Sequence, residues 1–170
     1  MDRAITGFTR DDAGAWVAHL ECLHRQHVRH QPPFRLAPWV VDDAQRAARV
    51  GSALDCPLCD RAELPAGLIV ARTTEVWDSA TMPTGLRRAH RVARATWGLL
   101  HVTEGRLRFR AATTPAIDVA VEAGGTQPIP PEVDHEVEPS HGARFFLEFL
   151  RAGDEGQESR SASTSRPLPS

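Results

Sequence analysis

The chain has 170 residues, 20 basic against 22 acidic side chains, and a net charge of −2 with the signs interspersed. No window approaches the run of about 18 uncharged apolar residues that a membrane helix needs, and no basic cluster offers the surface that nucleic-acid binding requires. Met1-Asp2-Arg3 does not open a basic stretch followed by an apolar run, so a soluble, cytoplasmic protein of one ordinary or two small domains is expected.

In chain order, Ile5 to Thr9 alternates apolar and polar residues, Asp11-Asp12-Ala13-Gly14 has turn chemistry, and Trp16 to Leu20 returns. That pattern predicts a β-hairpin. Pro32-Pro33 ends the extended segment beyond it. Asp42 or Asp43 can cap a short helix over Ala44–Val50, and Gly51 stands where a helix C-terminus wants glycine. Cys56-Pro57-Leu58-Cys59 follows at once.

From Leu64 onward the chain reads as short strands separated by Gly, Pro and Asp. The candidates are Gly67–Arg72, Arg88–Ala93, Thr96–Thr103, Leu107–Ala111, Ile117–Val121, Thr126–Ile129, His135–Glu138 and Ala143–Leu150. So many evenly spaced strands predict a sandwich or barrel. On the last strand Phe145, Leu147 and Phe149 face one way, and Phe146, Glu148 and Leu150 the other. The expected layout is a small module over 1–62, a β-barrel over 63–151 and a polar tail over 152–170. The tail holds too little apolar surface to offset the entropy of ordering it, and is expected to be disordered.

All three cysteines lie in the first third. A Cys-x2-Cys turn presents two thiolates to one ion, and zinc prefers four tetrahedral nitrogen or sulfur ligands. Cys22 and His24 stand two apart, so on an extended strand they project to the same side. Cys22, His24, Cys56 and Cys59 are therefore the expected zinc ligands, with His27 the alternative to His24. Inert thiols or a redox pair at Cys56 and Cys59 are the competing readings. A thioredoxin-like pair opens a helix after a strand in a βαβ unit, and no βαβ pattern is visible here. A segment of this size also buries little core, which favours a structural metal. Chelation is accordingly expected to unfold residues 1–60 and leave the barrel intact.

The first 60 residues resemble a small uncharacterised bacterial family, through Arg3-Ala-Ile-Thr-Gly-Phe8, Trp16-Val17, Cys22-x-His24-x-Gln26-His27-Val28-Arg29-His30, Pro32-Pro33-Phe34, Pro38-Trp39 and Cys56-x2-Cys59. The chain departs from that pattern at Leu23, where glycine is usual. The resemblance supports the zinc reading.

Gly124-x5-Pro130-x-Glu132-x2-His135 resembles the second cupin motif, G-x5-P-x-G-x2-H-x3-N, with Glu132 in place of its internal glycine and Pro139 in place of its asparagine. Of the first motif, Gly105 suits the closing glycine and His90 stands near the histidine pair, but Gly98 occupies the glutamate position. Residues 64–151 more closely resemble a cupin-like family named for tellurite resistance. The matching pieces include Pro83-x-Gly85-Leu86-Arg87-Arg88-x-His90-Arg91, Thr96-Trp97-Gly98, Glu104-Gly105-Arg106-Leu107, Pro130-Pro-Glu-Val-x-His135 and Arg144-Phe145-Phe146-x-Glu148-Phe149. The expected fold class is therefore mainly β: a zinc-stabilised hairpin and helix module, then a cupin-like double-stranded β-helix (jelly-roll) barrel.

In cupins the motif residues bind a metal inside the barrel, so the resemblance implies a pocket with His90 and His135. Glu148, flanked by apolar residues, is the candidate third ligand of a second divalent metal, or a salt-bridge partner of Arg88 or Arg108. His101 alternates in phase with Trp97 and Leu99 and is a further candidate for the lumen. Two functions follow: a binding or sensing module for a small molecule or anion, tied to tellurite or oxyanion stress, or a metalloenzyme of dioxygenase or isomerase type. The latter needs an open metal site such as two histidines and a carboxylate, and the incomplete motif favours binding. Arg25, Arg29 and their neighbours are too few to anchor many phosphates, which argues against nucleic acid. The cupin resemblance also implies a homodimer.

Overall fold

The structure, a computed structural model, describes residues 1–33 and 36–153. Its first sheet has the order β3-β2-β1-β4, built from β1 (Asp2–Arg10), β2 (Trp16–Leu20), β3 (Arg25–His27) and β4 (Ala53–Asp55). The expected hairpin is present, closed where the Ala15 N–H donates to Asp11 Oδ1 at 2.7 Å. Between β3 and β4, α1 (Asp43–Ala47) begins under an Asp42 cap whose side chain accepts from the Gln45 N–H at 2.7 Å. The helix is shorter than the expected 44–50. The one-turn helix α2 (Pro57–Asp60) starts directly after Cys56.

The segment from Cys22 to His24 is not an extended strand. The Leu20 N–H donates to the His24 carbonyl at 2.9 Å and the Leu23 N–H to the Leu20 carbonyl at 2.8 Å, so the chain folds back in a tight turn into β3. Leu23 sits there at φ +72°.

The second unit packs two antiparallel sheets face to face. One has the order β5-β11-β6-β9, from β5 (Leu68–Thr73), β6 (Trp97–Glu104), β9 (Thr126–Ile129) and β11 (Arg144–Ala152). The other has the order β10-β7-β8, from β7 (Arg106–Ala111), β8 (Ile117–Glu122) and β10 (His135–Pro139). Side chains alternate across a strand. Leu100 and Val102 of β6, Leu107 and Phe109 of β7, and Phe145 and Leu147 of β11 thus meet in one core between the sheets. Gly105 turns β6 into β7 at φ +67°, where a Cβ would come within 2.9 Å of the Ala143 backbone.

The strand expected over 88–93 does not form. That stretch makes only single bridges, His90 to His135 and Val92 to Pro131. Its partner segment contains Pro130 and Pro131, which lack the N–H groups a ladder needs. Ala152, expected to open the tail, pairs with Leu68 at the end of β11. The tail's remaining residues from 154 lie outside the described residues.

The two units share a second core. Ile5, Leu20, Cys22, Cys56 and Cys59 pack together with Trp97 and Leu150 from the outer face of the β5-β11-β6-β9 sheet. The Trp97 Nε1–H donates to the Cys22 carbonyl at 2.8 Å, and Arg3 donates to the Pro131 carbonyl at 2.8 Å. An Arg94–Glu21 ion pair and a bond from the Thr114 N–H to Asp60 extend the contact. Such an interface explains why β11 is apolar on both faces: one face lines the sandwich core, and Leu150 on the other lies under the N-terminal module.

Candidate metal centre and ligand pocket

Three segments deliver four ligand atoms to one point. The turn after β2 carries Cys22 and His24, the junction between β4 and α2 carries Cys56, and α2 carries Cys59. Their ligand atoms all lie within 4.8 Å of one another, and all four residues are buried. His24 Nδ1 stands 3.5 Å from Cys22 Sγ, 3.4 Å from Cys56 Sγ and 3.6 Å from Cys59 Sγ, and the Cys22 and Cys56 sulfurs are 3.9 Å apart. A tetrahedron with Zn–S bonds of about 2.3 Å and a Zn–N bond of about 2.0–2.1 Å has edges of about 3.5 Å from nitrogen to sulfur and about 3.8 Å between sulfurs. The donor set therefore fits a tetrahedral ion without rearrangement.

The surroundings fit it too. His24 Nε2 lies 3.0 Å from the Glu63 carbonyl. A carbonyl only accepts, so Nε2 carries a hydrogen and Nδ1 is the nitrogen that faces the sulfurs, the orientation expected of a ligating imidazole once a metal replaces the Nδ1 proton. Burial disfavours a charged His24 ring, but hydrogen bonds and charge from the Cys22 and Cys56 sulfurs outweigh it and hold its pKa up at about 9. Hydrogen bonds from Cys22 and Cys59 draw the Cys56 thiol down, while Cys22 and Cys56 push the Cys59 thiol up. Three crowded thiols thus cannot ionise together without a cation. Trp97 stands edge-on to the His24 ring, centroids 5.4 Å apart, and closes the site from the sandwich side. The Arg3 guanidinium is buried nearby, and its charge favours the Cys59 thiolate. Three thiolates around a dication leave one net negative charge, which Arg3 offsets.

His27, the alternative ligand, is half-exposed and bonds Asp11 at 2.8 Å. Among the described residues no other group of three or more metal-type side chains gathers.

The second set is only half assembled. His90 and His135 line one cavity of about 180 Å³ with Leu86, Ile129, Leu147 and Phe149. Their ring centroids are 4.0 Å apart, and their backbones exchange bonds of 3.1 and 3.0 Å. His90 Nδ1 lies 3.0 Å from the Arg88 carbonyl, and His135 Nδ1 lies 2.9 Å from the Val133 carbonyl. Burial pushes the His135 pKa down to about 4, with the backbone bond to Val133 opposing it.

Glu148 is not with them. It alternates with Leu147 and Phe149, so it points to the opposite face of β11, where it meets His101 at 2.9 Å. The His101 ring stacks on Phe146, interplanar angle 2° and centroids 4.5 Å apart. His101 thus shares the outward phase of Trp97 and does not enter the sandwich interior. The phase was correctly read, but its direction depends on which face the N-terminal module covers, and no local pattern records that. Nor does Glu148 pair with Arg88 or Arg108; Arg108 bonds Asp118 at 2.6 Å. Gly98 falls on the inward phase of β6, and a Cβ there would meet Ile129 at 3.1 Å. The cavity therefore offers two imidazoles and no carboxylate, which does not fit the three-ligand metal site expected for a second divalent ion.

Sequence reasoning missed three contributors. Trp97 as a wall of the metal site and Arg3 as its buried counter-charge depend on docking between units. The Glu63 carbonyl that orients His24 is backbone and carries no side-chain signal.

Comparison with known proteins adds two domain matches. Residues 6–63 match a family model described as a protein of unknown function, DUF3565, and residues 72–147 match the model of the TehB-like domain. No curated protein matches the chain. Among solved structures, the chain is 24% identical to a crystal structure from Escherichia coli K12, over 54% of this chain and 97% of that one, with a TM-score of 0.48. It is 21% identical to TehB from Haemophilus influenzae, over 59% of this chain, with a TM-score of 0.47, and spans 37% of that protein's length.

Proposed function

We propose that the chain is a zinc-fastened binding protein, in which residues 1–62 form the zinc module and residues 63–151 a cupin-like jelly roll that holds a small molecule in the cavity lined by His90 and His135. The observation that carries this reading is the convergence of Cys22, His24, Cys56 and Cys59 at tetrahedral edge lengths. A closed set of four protein ligands leaves no open position for substrate, which is the hallmark of a structural zinc. The role of the ion is to hold the turn after β2 against α2, and through Trp97 to seat the module on the sandwich. The two facing sheets, with Gly105, Gly124, Pro130 and His135 in motif order, support the jelly-roll reading. The similarity to the family named for tellurite resistance supports oxyanion stress as the biological setting.

Catalysis by a second metal is the weaker reading. Its proposed carboxylate, Glu148, lies on the far face of β11, and the motif's glutamate position is Gly98. Metal analysis tests both points. Purified protein is expected to hold one zinc per chain and no further iron, manganese or nickel after growth with those metals added. Cys56→Ser is expected to lose the zinc and several kcal/mol of stability, because binding energy at such a site is folding energy. Freshly purified protein without zinc would sink the proposal.

A further inference from the structure

We infer that the cavity lined by His90 and His135 selects a small neutral molecule that is apolar over most of its surface and donates one hydrogen bond to an imidazole Nε2, and that it rejects anions. This inference rests on the binding reading above and names its ligand class.

Three observations carry it. Each Nδ1 lies 2.9 or 3.0 Å from a backbone carbonyl, and a carbonyl can only accept, so each Nδ1 carries a hydrogen. In a neutral ring the remaining Nε2 is then an acceptor, and among the described residues neither Nε2 takes a hydrogen bond. His135 stays neutral at pH 7, because burial has pushed its pKa to about 4. A neutral His135 ring with a free Nε2 lone pair in the lining repels an anion and suits a donor.

The rest of the wall points the same way. Leu86, Ile129, Leu147 and Phe149 make it mostly apolar. Arg91 also borders the cavity, but its guanidinium is paired through Nε and Nη2 with the Asp134 carboxylate, with two bonds of 2.7 Å. Among the described residues no unpaired cation lines the cavity for an oxyanion to pair with, and an unpaired buried charge is costly. At about 180 Å³ the space is below the usual range for drug-sized ligands and suits a single ring.

A matched series of probes tests the inference on the full-length, zinc-loaded chain. Toluene, phenol and benzoate share one ring and differ in carrying no polar group, a neutral donor or an anion; orthophosphate serves as an inorganic anion. Binding is followed by long-range nitrogen–proton NMR of protein with labelled histidines. Phenol is expected to shift the His135 or His90 Nε2 resonance saturably, and to bind at least tenfold more tightly than toluene or benzoate. His135→Phe keeps a ring in place but removes the acceptor, and should erase most of that preference while zinc content stays at one per chain. The wild-type Nε2 shift decides the question even if this variant fails to fold. Benzoate or phosphate binding more tightly than phenol overturns the inference and leaves the binding reading standing. So does toluene binding as tightly as phenol. If none of the four probes binds, the binding reading falls with it.

Discussion

Glu132 occupies the left-handed backbone region at φ +57°, with its side chain in solvent and its N–H donated to the Val92 carbonyl at 2.9 Å. A residue with a Cβ pays about 1–2 kcal/mol there, and the ion pair the side chain makes among the described residues, with Arg94 at 3.6 Å, is worth about 0–1 kcal/mol at an exposed site. Glycine also loses about 0.5–1 kcal/mol more in entropy on folding, so the net gain from Glu132→Gly is about 0–1 kcal/mol, seen as a rise in Tm of up to about 4 °C for a chain of this length. Leu23 is strained in the same way, but its side chain packs against the core around the cysteines, so the same exchange there loses what it gains. His135 gives a second residue-scale prediction. Its folded pKa of about 4 lies below the ordinary 6.5. As pH falls from about 6.5 to 4, the unfolded chain takes up a proton that the folded ring refuses, so stability present near neutrality is lost across that window. The shift is worth about 3 kcal/mol. Of its charged neighbours, His90 adds to the shift and Asp134 opposes it. His135→Phe should flatten the acid limb of a denaturation series by that amount; the metal ligands titrate in both proteins, so the difference between the two curves isolates the histidine. Equal acid limbs would show that the ring is solvated.

At the level of single elements, β11 shows what local pattern can and cannot say. Its alternation was plain in Phe145, Leu147 and Phe149, and those side chains do face the sandwich core. Which face Glu148 belonged to was equally plain. That this face lies outside, beside His101, depends on the N-terminal module covering Trp97 and Leu150, a contact between segments far apart in the chain. Glu148→Ala is therefore expected to cost about 1 kcal/mol, as partly exposed ion pairs do, and to leave metal content and cavity binding unchanged. A loss of bound metal would return Glu148 to the interior. The metal ligands were legible because Cys-x2-Cys and Cys-x-His are short-range patterns with little else to mean. The turn that presents Cys22 and His24 was not, because it depends on Leu23 entering a conformation its side chain disfavours. The three-residue strand β4 carries no periodicity to read, yet it brings Cys56 to the site. The segment 88–93 failed as a strand for want of donors on Pro130 and Pro131, a property of its partner.

For the molecule as a whole, the shared core argues against two independent modules. Trp97 and Leu150 belong to the sandwich but are buried only while the N-terminal module is seated. Stripping the metal should therefore destabilise both units together. One cooperative melting transition is expected, at lower temperature, with tryptophan and backbone circular dichroism falling in step. Two separated transitions, with the sandwich unmoved, would refute the coupling. No helix among the described residues is long and apolar enough to cross a membrane. The indole over His24 also has a kinetic meaning. The four ligand residues lie beneath the surface, between 0% and 4% exposed, and a chelator can reach the ion only when the modules part. Release to a coloured chelator should then level off as its concentration rises, at the rate of spontaneous opening. Trp97→Ala, which removes the cover, should raise that ceiling. The lifetime of the bound ion would thus be set by how often the two units separate, and the metal would exchange as slowly as the protein breathes.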